Sequence, residues 1–213
     1  RRAKPYNMGT LYWQLNDCWP AISWSSIDYF GQWKALHHAA KEAFENVLIS
    51  FEQADDMLQV YVVNDHLEAI NETLHLVIRD FKGNIIWETD EALAVSGNSS
   101  QVVYRLPMKE LELDATNSFL QAAMGETTRL YYFERPKNLA LEQSKVDMQV
   151  TKQADGFAIV LHSSTLQKAV QLSASSMGTF DNNYFDLLPN QEKQLYFSTK
   201  DTDVTFQLRS LNL

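Results

Sequence analysis

The sequence has 213 residues, of which 45% are hydrophobic and 21% charged, a balance typical of a folded chain with enough apolar material for one to three domains. Its 18 Lys and Arg residues are outnumbered by 27 Asp and Glu residues, and the resulting formal net charge of -9 excludes the basic surface that nucleic-acid binders present. A single cysteine excludes an internal disulfide, and because no apolar run is long enough to span a bilayer, we expect neither a nucleic-acid nor a membrane partner.

The first predicted element is a short strand near the start of the chain. Residues 11–13 are apolar or aromatic at consecutive positions, as in a strand that is covered on both faces. Asn16 and Asp17 follow, and after a long loop the pattern becomes helical over residues 32–46. Strands of a (β/α)8 barrel carry functional residues at their C-terminal ends in this way. We therefore expect residues 1–46 to be one βα unit, with the rest of its barrel outside this chain.

The predicted helix has one apolar stripe. Its members recur at steps of three and four: Trp33, Leu36, His37, Ala40, Ala43, Phe44 and Val47. His37 lies on the stripe and is predicted to be a core histidine. Adjacent helical side chains point about 100° apart, so His37 and His38 are not expected to chelate one metal ion. Because one βα unit cannot close a barrel, the residues before about Trp33 are predicted to be disordered, packed on a sandwich or paired between chains.

After residue 46, apolar and polar residues begin to alternate, which is typical of half-buried strands. About seven short runs occupy residues 47–135, and their spacing predicts an immunoglobulin-like β-sandwich without a disulfide. Pro136 interrupts this pattern. Alternation resumes beyond it and predicts a second, smaller sandwich over residues 136–213. The predicted fold class is therefore mainly β, with two immunoglobulin-like β-sandwich domains preceded by a βα unit of a (β/α)8 barrel.

Four of the five tryptophans lie within residues 13–33. Aromatic rings beside polar groups suit stacking on sugar rings, and the alternative is core packing in the wall of a barrel. Asn16 and Asp17 either bond sugar hydroxyls or hold the loop through turn-type bonds to the backbone, and the structural role is favoured for Asp17. The spacing of Asp17 and Asp28 does not support an acid/base pair. Cys18 is predicted to be a small buried filler rather than a nucleophile.

Oxygen-bearing side chains are also dense near the end of the chain. Asp181, Asn182, Asn183 and Asp186 have enough oxygens for calcium, but the glycine and the terminal glutamate of an EF-hand loop are absent. A turn held by side-chain bonds to the backbone is favoured instead. We therefore predict no metal site and no cofactor.

Two motifs resemble one known family. The first reads Tyr-Trp-Gln-Leu-Asn-Asp-Cys-Trp-Pro over residues 12–20, followed by Ser-Trp-Ser at 23–25, Ile-Asp-Tyr at 27–29 and Trp-Lys-Ala-Leu-His at 33–37. The second reads Phe-Asp-Asn-Asn-Tyr-Phe-Asp-Leu-Leu-Pro over residues 180–189. The first is similar to the last barrel strand, loop and helix of the β-mannosidases of glycoside hydrolase family 2, and the second to their C-terminal immunoglobulin-like domain. The two motifs stand in the family's order, so the resemblance spans the whole chain.

The resemblance implies a retaining exo-hydrolase that removes terminal β-linked mannose from the non-reducing ends of oligosaccharides. Such enzymes use two Glu residues on barrel strands before the last one, so we expect no catalytic residue in this chain and no activity from it alone. Trp13 matches the aromatic residue at the family's mannose-binding subsite. The candidate substrate-binding residues are Trp13, Asn16, Trp19 and Trp24. For Trp19 and Trp24, a place in the core of the loop is an equally good interpretation.

The resemblance also implies that the partner of the parent enzyme is a mannose-containing oligosaccharide and that its location is periplasmic or secreted, or lysosomal in a eukaryote. A homodimer is a further expectation. The alternative function is non-catalytic, with the sandwiches acting as carbohydrate-binding or structural modules. An exposed row of aromatic residues on one sheet would indicate carbohydrate binding. The residues available for such a row are Tyr61, Trp87, Tyr104, Tyr131 and Tyr132.

Overall fold

The computed structural model describes all 213 residues and is predominantly β, as the alternating pattern predicts. It has one α-helix, α1 at Ala35–Ala43, and single 3-10 turns at Met108–Glu110 and Pro136–Asn138. The strands are β1 Val47–Ala54, β2 Met57–Asn64, β3 Ile70–Asp80, β4 Ile85–Val95, β5 Ser99–Pro107, β6 Ser118–Met124, β7 Thr127–Tyr132, β8 Asp147–Gln153, β9 Gly156–His162, β10 Gln167–Ala174, β11 Thr179–Phe180, β12 Phe185–Leu187, β13 Glu192–Ser198 and β14 Phe206–Arg209. No helix combines the length and the apolar character that crossing a bilayer would require.

The chain divides into two compact units. The first comprises Arg1–Leu11, Ala43–Asp80 and Asn84–Ala140, and the second comprises Tyr12–Glu42, Phe81–Gly83 and Leu141–Leu213. Residues 1–11 group with the first β region and residues 12–42 with the second, which agrees with packing on a sandwich among the three predicted arrangements. The domain limits 1–46, 47–135 and 136–213 stay predictions.

The first unit contains a sandwich of two antiparallel sheets. One sheet has the strand order β1-β2-β5 and the other has the order β4-β3-β6-β7. Leu58, Val60 and Val62 of β2 are fully buried because alternate side chains of a strand point to the same face. Residues of both sheets, such as Ile49 and Leu76, join one core. Burial of each such side chain stabilises the fold by about 1.5–3 kcal/mol. The two sheets and their shared core confirm the predicted first β-sandwich.

A buried amide closes one corner of the first sandwich. Asn64, the last residue of β2, has no exposed surface. Its Nδ2 donates to the backbone oxygens of Glu68, Val95 and Ser96 at 2.8, 3.2 and 3.2 Å, and its Oδ1 accepts from the backbone N–H of His66 at 2.9 Å. One side chain therefore supplies partners to the backbone of both the β2–β3 loop and the end of β4, where an unpaired buried group would be costly.

The second unit contains a smaller sandwich. Its two antiparallel sheets have the orders β12-β10-β14 and β11-β13-β9-β8. Ile159, Leu161 and Val170 are fully buried in a core that both sheets share. The rings of Phe197 and Phe206 meet edge to face with their centroids 5.4 Å apart, a favoured arrangement for aromatic pairs. The predicted second sandwich is confirmed.

Asn183 fastens strand β10 of this sandwich from the loop that precedes β12. Its Oδ1 accepts from the backbone N–H of Leu172 at 2.8 Å, and its Nδ2 donates to the carbonyl oxygen of Leu172 at 2.9 Å. We expect Asn183→Ala to lower the free energy of unfolding by about 2–4 kcal/mol, because two buried backbone groups lose their partner at about 1–3 kcal/mol each. Urea denaturation measures the loss. The matched control is Asn182→Ala, one residue earlier, and equal small losses in both variants would contradict the assignment.

The strand predicted near the start of the chain does not form in this structure. Residues 11–13 form no strand, and only isolated bridges join Ile27 to Asn16 and to Trp33. A parallel barrel strand takes its backbone hydrogen bonds from a strand on either side, and the described chain supplies neither neighbour.

The helix is shorter than predicted and buries a different face. Helix α1 covers Ala35–Ala43, within the predicted 32–46. Two members of the predicted apolar stripe, Leu36 and Phe44, are 42% and 48% exposed. His37 is half-buried, whereas His38, which lies off the stripe, is the buried histidine. Leu36 and Phe44 are therefore more exposed than the predicted stripe implies.

Candidate functional site

The segment from Tyr12 to Lys34 is held by a buried ion pair. Asp17 is only 9% exposed, and its carboxylate lies 3.0 Å from Nζ of Lys34. Ser23 donates its hydroxyl to the same carboxylate, and Lys34 also donates to Oγ of Ser25 at 2.7 Å. Hydrogen bonds from Ser23, Ser25 and Lys34, in that order of effect, hold the pKa of Asp17 below its ordinary value. The structural role favoured for Asp17 agrees with this network.

A second group of contacts ties the segment to helix α1. Ser26 has no exposed surface, and its Oγ donates to the carbonyl oxygen of Leu15 at 2.9 Å. The same Oγ lies 3.1 Å from Oη of Tyr12 and 3.1 Å from Nδ1 of His37. The loop is therefore fixed at both ends.

Asp28 also has a structural role. Its Oδ1 accepts from the backbone N–H groups of Phe30 and Gln32 at 2.9 and 2.8 Å, which closes a turn. Asp17 and Asp28 therefore each serve the local fold, which agrees with the expectation that they form no acid/base pair.

The candidate tryptophans lie on the outside of this fixed segment. Trp13, Trp19 and Trp24 are 74%, 69% and 68% exposed, so none of them is a core residue of this chain. Exposed large aromatic side chains are candidates for contact with a ligand. An indole presents a flat apolar face and one N–H donor, which suits the C–H face and the hydroxyls of a sugar.

Gln14 connects two of the candidate residues. Its Oε1 accepts from Nε1 of Trp24 at 3.3 Å, and its Nε2 donates to the carbonyl oxygen of Asn16 at 2.7 Å. The Trp13–Gln14 peptide bond is cis. Asn16 is itself exposed, and its Nδ2 donates to the carbonyl oxygen of Asp17 at 3.2 Å. The structure thus brings Trp24 and Asn16 to Gln14, while no hydrogen bond links Trp19 to them.

Sequence reasoning missed Gln14 and misplaced Cys18. Gln14 lies in the sequence between the predicted site residues Trp13 and Asn16. This position is the one feature of the sequence that could have identified it. Cys18 is exposed rather than a buried filler, so that prediction is wrong. The neighbouring Asp17 takes the buried place because Lys34 and Ser23 satisfy its charge there.

Side-chain bonds to the backbone hold the loop near the end of the chain, as the favoured turn predicts. Asp181 accepts from the backbone N–H of Tyr196 at 2.9 Å, and Asp186 accepts from Nζ of Lys168 at 2.8 and 3.0 Å. Asn183 binds Leu172, as described above. Asp181, Asn183 and Asp186 therefore each bond within the fold through a side-chain oxygen. The structure has no group of three or more His, Cys, Asp and Glu side chains that could hold a metal ion.

The five aromatic residues considered for an exposed row do not form one on the sandwiches. Trp87 and Tyr104 face each other at 6.0 Å within the first core, and Tyr131 packs on Phe51 there. Tyr61 lies under the guanidinium of Arg2, 5.6 Å from its ring centroid. All five residues considered for the row, including Tyr132, are only partly exposed.

His38 makes the second unit sensitive to acid. Burial lowers the pKa of His38 below 6.5, with smaller lowering effects from Lys41 and His37 and a raising effect from Asp181. Between the folded pKa and 6.5 the unfolded chain binds a proton that the folded chain does not, so stability is lost as pH falls through this interval. Acidification should lower the melting temperature of the wild type more than that of His38→Gln. His66→Gln, at an exposed position, should behave as the wild type; equal falls in all three proteins would contradict the prediction.

Both sandwiches match known domain families. Residues 56–138 match a family described as the Mannosidase Ig/CBM-like domain, and residues 141–212 match one described as an Ig-fold domain. The immunoglobulin-like character predicted for both sandwiches is therefore confirmed.

Longer proteins are similar to nearly the whole chain. It is 28% identical to Beta-mannosidase A of Neosartorya fischeri over 93% of its length, and 28% identical to the Beta-mannosidase of Bos taurus over 98%. The chain spans only 24% and 26% of these two relatives. The predicted resemblance to β-mannosidases is confirmed.

Two solved structures share the fold. The Beta-D-Mannosidase from Dictyoglomus thermophilum superposes with a TM-score of 0.80 at 23% identity, over 94% of this chain and 26% of that protein. An exo-chitosanase of Amycolatopsis orientalis superposes with a TM-score of 0.70 at 14% identity, over 95% of this chain and 30% of that protein. At these identities the likeness establishes a common fold and nothing further.

Proposed function

We propose that this chain, which resembles the β-mannosidases of glycoside hydrolase family 2 over almost its whole length and contains a mannosidase-type immunoglobulin-like domain, is the C-terminal part of a retaining exo-β-mannosidase. In this proposal residues 1–46 are the last βα unit of the (β/α)8 barrel. The other strands, with both catalytic Glu residues, lie elsewhere in the longer protein. The complete enzyme hydrolyses terminal non-reducing β-D-mannose residues of oligosaccharides.

The observation that carries this proposal is the exposure of three indoles on a segment whose backbone is fixed. Trp13, Trp19 and Trp24 are each about two-thirds or more exposed, while Asp17 and Ser26 of the same segment are buried and hydrogen-bonded. A fixed segment that leaves large apolar rings uncovered is preorganised for a ligand. We assign Trp13, Asn16, Trp19 and Trp24 to the wall of the mannose-binding subsite.

The role of this wall is to position the sugar. Retaining glycosidases use two carboxyl groups about 5–5.5 Å apart, one as nucleophile and one as acid/base, and pass through a covalent glycosyl intermediate. An indole on the apolar face of the ring and an amide on its hydroxyls hold the anomeric carbon in line with these groups. Neither carboxyl group is assigned to this chain, since Asp17 and Asp28 are occupied in the fold.

The proposal is tested by comparing the 213-residue chain with the longer protein that contains it. We expect the longer protein to hydrolyse p-nitrophenyl β-D-mannopyranoside and to release β-mannose first, as retention requires. The chain alone is expected to release no nitrophenol above the buffer rate. Hydrolysis by the purified chain, or an inactive longer protein that is correctly folded, would overturn the proposal.

A location and an assembly of the enzyme are proposed as well. A substrate of mannose-containing oligosaccharides favours a periplasmic or secreted enzyme, or a lysosomal one in a eukaryote. A homodimer is proposed as its assembly, and light scattering of the longer protein measures it.

A further inference from the structure

The second unit contains a cavity of about 190 Å³ between its N-terminal segment and one end of its sandwich. Its lining includes Gln32, Trp33 and His38 from the N-terminal segment, and Gln171 and Tyr184 from the sandwich. An apolar cavity of about 150 Å³ accommodates a benzene ring, so this cavity has room for a single six-membered ring rather than a chain of sugars.

Three aromatic side chains form one wall of the cavity. The rings of Trp33 and His38 lie 5.4 Å apart, and the rings of His38 and Tyr184 lie 5.7 Å apart. This continuous aromatic surface is half-buried to buried, so it offers a ligand a sheltered apolar face. Such a face suits the C–H surface of a pyranose ring.

Polar groups on the remaining sides are held in place by the fold. Nε2 of Gln171 donates to Oη of Tyr184 at 3.2 Å, which orients both side chains and uses only part of the amide's bonding capacity. Asn183 binds both backbone groups of Leu172 and so fixes the neighbouring part of β10. The amide of Gln32 and the hydroxyl group of Ser173 add further hydrogen-bonding groups to the lining.

The lining carries no formal charge. No Asp, Glu, Lys or Arg residue contributes to it, and burial lowers the pKa of His38, which keeps that imidazole neutral at pH 7. A charged ligand would have no partner in the cavity, and burying it unpaired would be costly. The lining therefore selects a neutral molecule with one apolar face and hydroxyl groups on its edge.

We propose that this cavity is a binding site for one neutral pyranose ring, which packs on Trp33 and Tyr184 and hydrogen-bonds the amides of Gln32 and Gln171. The site lies wholly within the second unit and needs no catalytic residue. Its occupation is therefore independent of the hydrolysis proposed above, and either proposal can fail without the other.

The test is a titration of the full 213-residue chain, labelled with ¹⁵N, with methyl β-D-mannopyranoside. We expect a saturable shift of the Trp33 indole N–H signal with a millimolar dissociation constant. Gln171→Ala should weaken binding about tenfold, as the loss of one good hydrogen bond predicts. Gln207→Ala, on the adjoining strand β14 and outside the lining, is the matched control and should bind as the wild type.

A second variant keeps the test decisive if Gln171→Ala disturbs the fold. Ser173→Trp starts from an exposed position on β10 and should fill the cavity and abolish the shift. The proposal is overturned if the wild type shows no saturable shift, if inorganic phosphate shifts Trp33 as strongly, or if the shifts are confined to the indoles of Trp13, Trp19 and Trp24.

Discussion

Trp13→Ala is expected to lower kcat/KM for p-nitrophenyl β-D-mannopyranoside by about 100-fold in the longer protein, because loss of a positioning group misplaces the sugar relative to the catalytic carboxyl groups. Trp13 is 74% exposed in this chain, so its removal should cost the fold little. Steady-state kinetics measure the loss, and a fall in kcat as well as a rise in KM is expected, since the indole acts on the position of the reacting carbon.

The control for this experiment is Phe30→Ala. Phe30 belongs to the same segment and is 62% exposed, but no sugar contact is assigned to it. Its removal should leave kcat/KM nearly unchanged, and Trp13→Phe should recover part of the activity because a smaller aromatic face remains. An unchanged Trp13→Ala enzyme, or equal losses in Trp13→Ala and Phe30→Ala, would remove Trp13 from the proposed subsite.

Gly156→Ala is expected to destabilise the chain by about 4 kcal/mol or more, which places it among the most damaging single substitutions. Gly156 opens strand β9 with φ of 150°, and it pairs with Ser198 of β13. A Cβ atom at this position would lie 2.0 Å from the carbonyl oxygen of Phe197, so the two strands could not keep their register. Urea denaturation followed by circular dichroism measures the loss.

Two other glycines separate the clash from the backbone effect. Gly125 has φ of 55° in the β6–β7 turn with open space around it, so Gly125→Ala should cost only about 1–2 kcal/mol of backbone strain. Gly9 has neither a left-handed conformation nor a close neighbour, so Gly9→Ala should be nearly neutral. If Gly156→Ala were no worse than Gly125→Ala, the close contact with Phe197 would not limit the fold.

The strands were predictable from sequence because their burial is decided locally. In β2, Leu58, Val60 and Val62 alternate with more exposed residues. Because alternate side chains of a strand point to the same face, these three face the core regardless of which strands pair with β2. The role of Asp17 was also predictable, since a carboxylate in a turn commonly bonds nearby hydroxyl and amide groups.

The structure of the N-terminal segment was harder to predict because it depends on strands and packing surfaces that lie outside the segment. The apolar run at residues 11–13 has the pattern of a buried strand, but a strand forms only where another strand pairs with it. The stripe of α1 likewise predicted burial for Leu36, whereas the second unit packs against His38 instead. The cavity beside His38 had no sequence signal, since its lining comes from positions as distant as Gln32 and Phe197.

The closed corner at Asn64 has a practical consequence for protein engineering. The Asn64 amide joins the β2–β3 loop to the end of β4, since its Nδ2 donates to carbonyl groups of both. Residues inserted between Asp65 and Glu68 would therefore separate the carbonyl group of Glu68 from this donor. The hairpin tip at Gly125 has no such fastening and is open to solvent. An epitope tag or a fluorophore-labelling peptide is therefore better grafted at that tip.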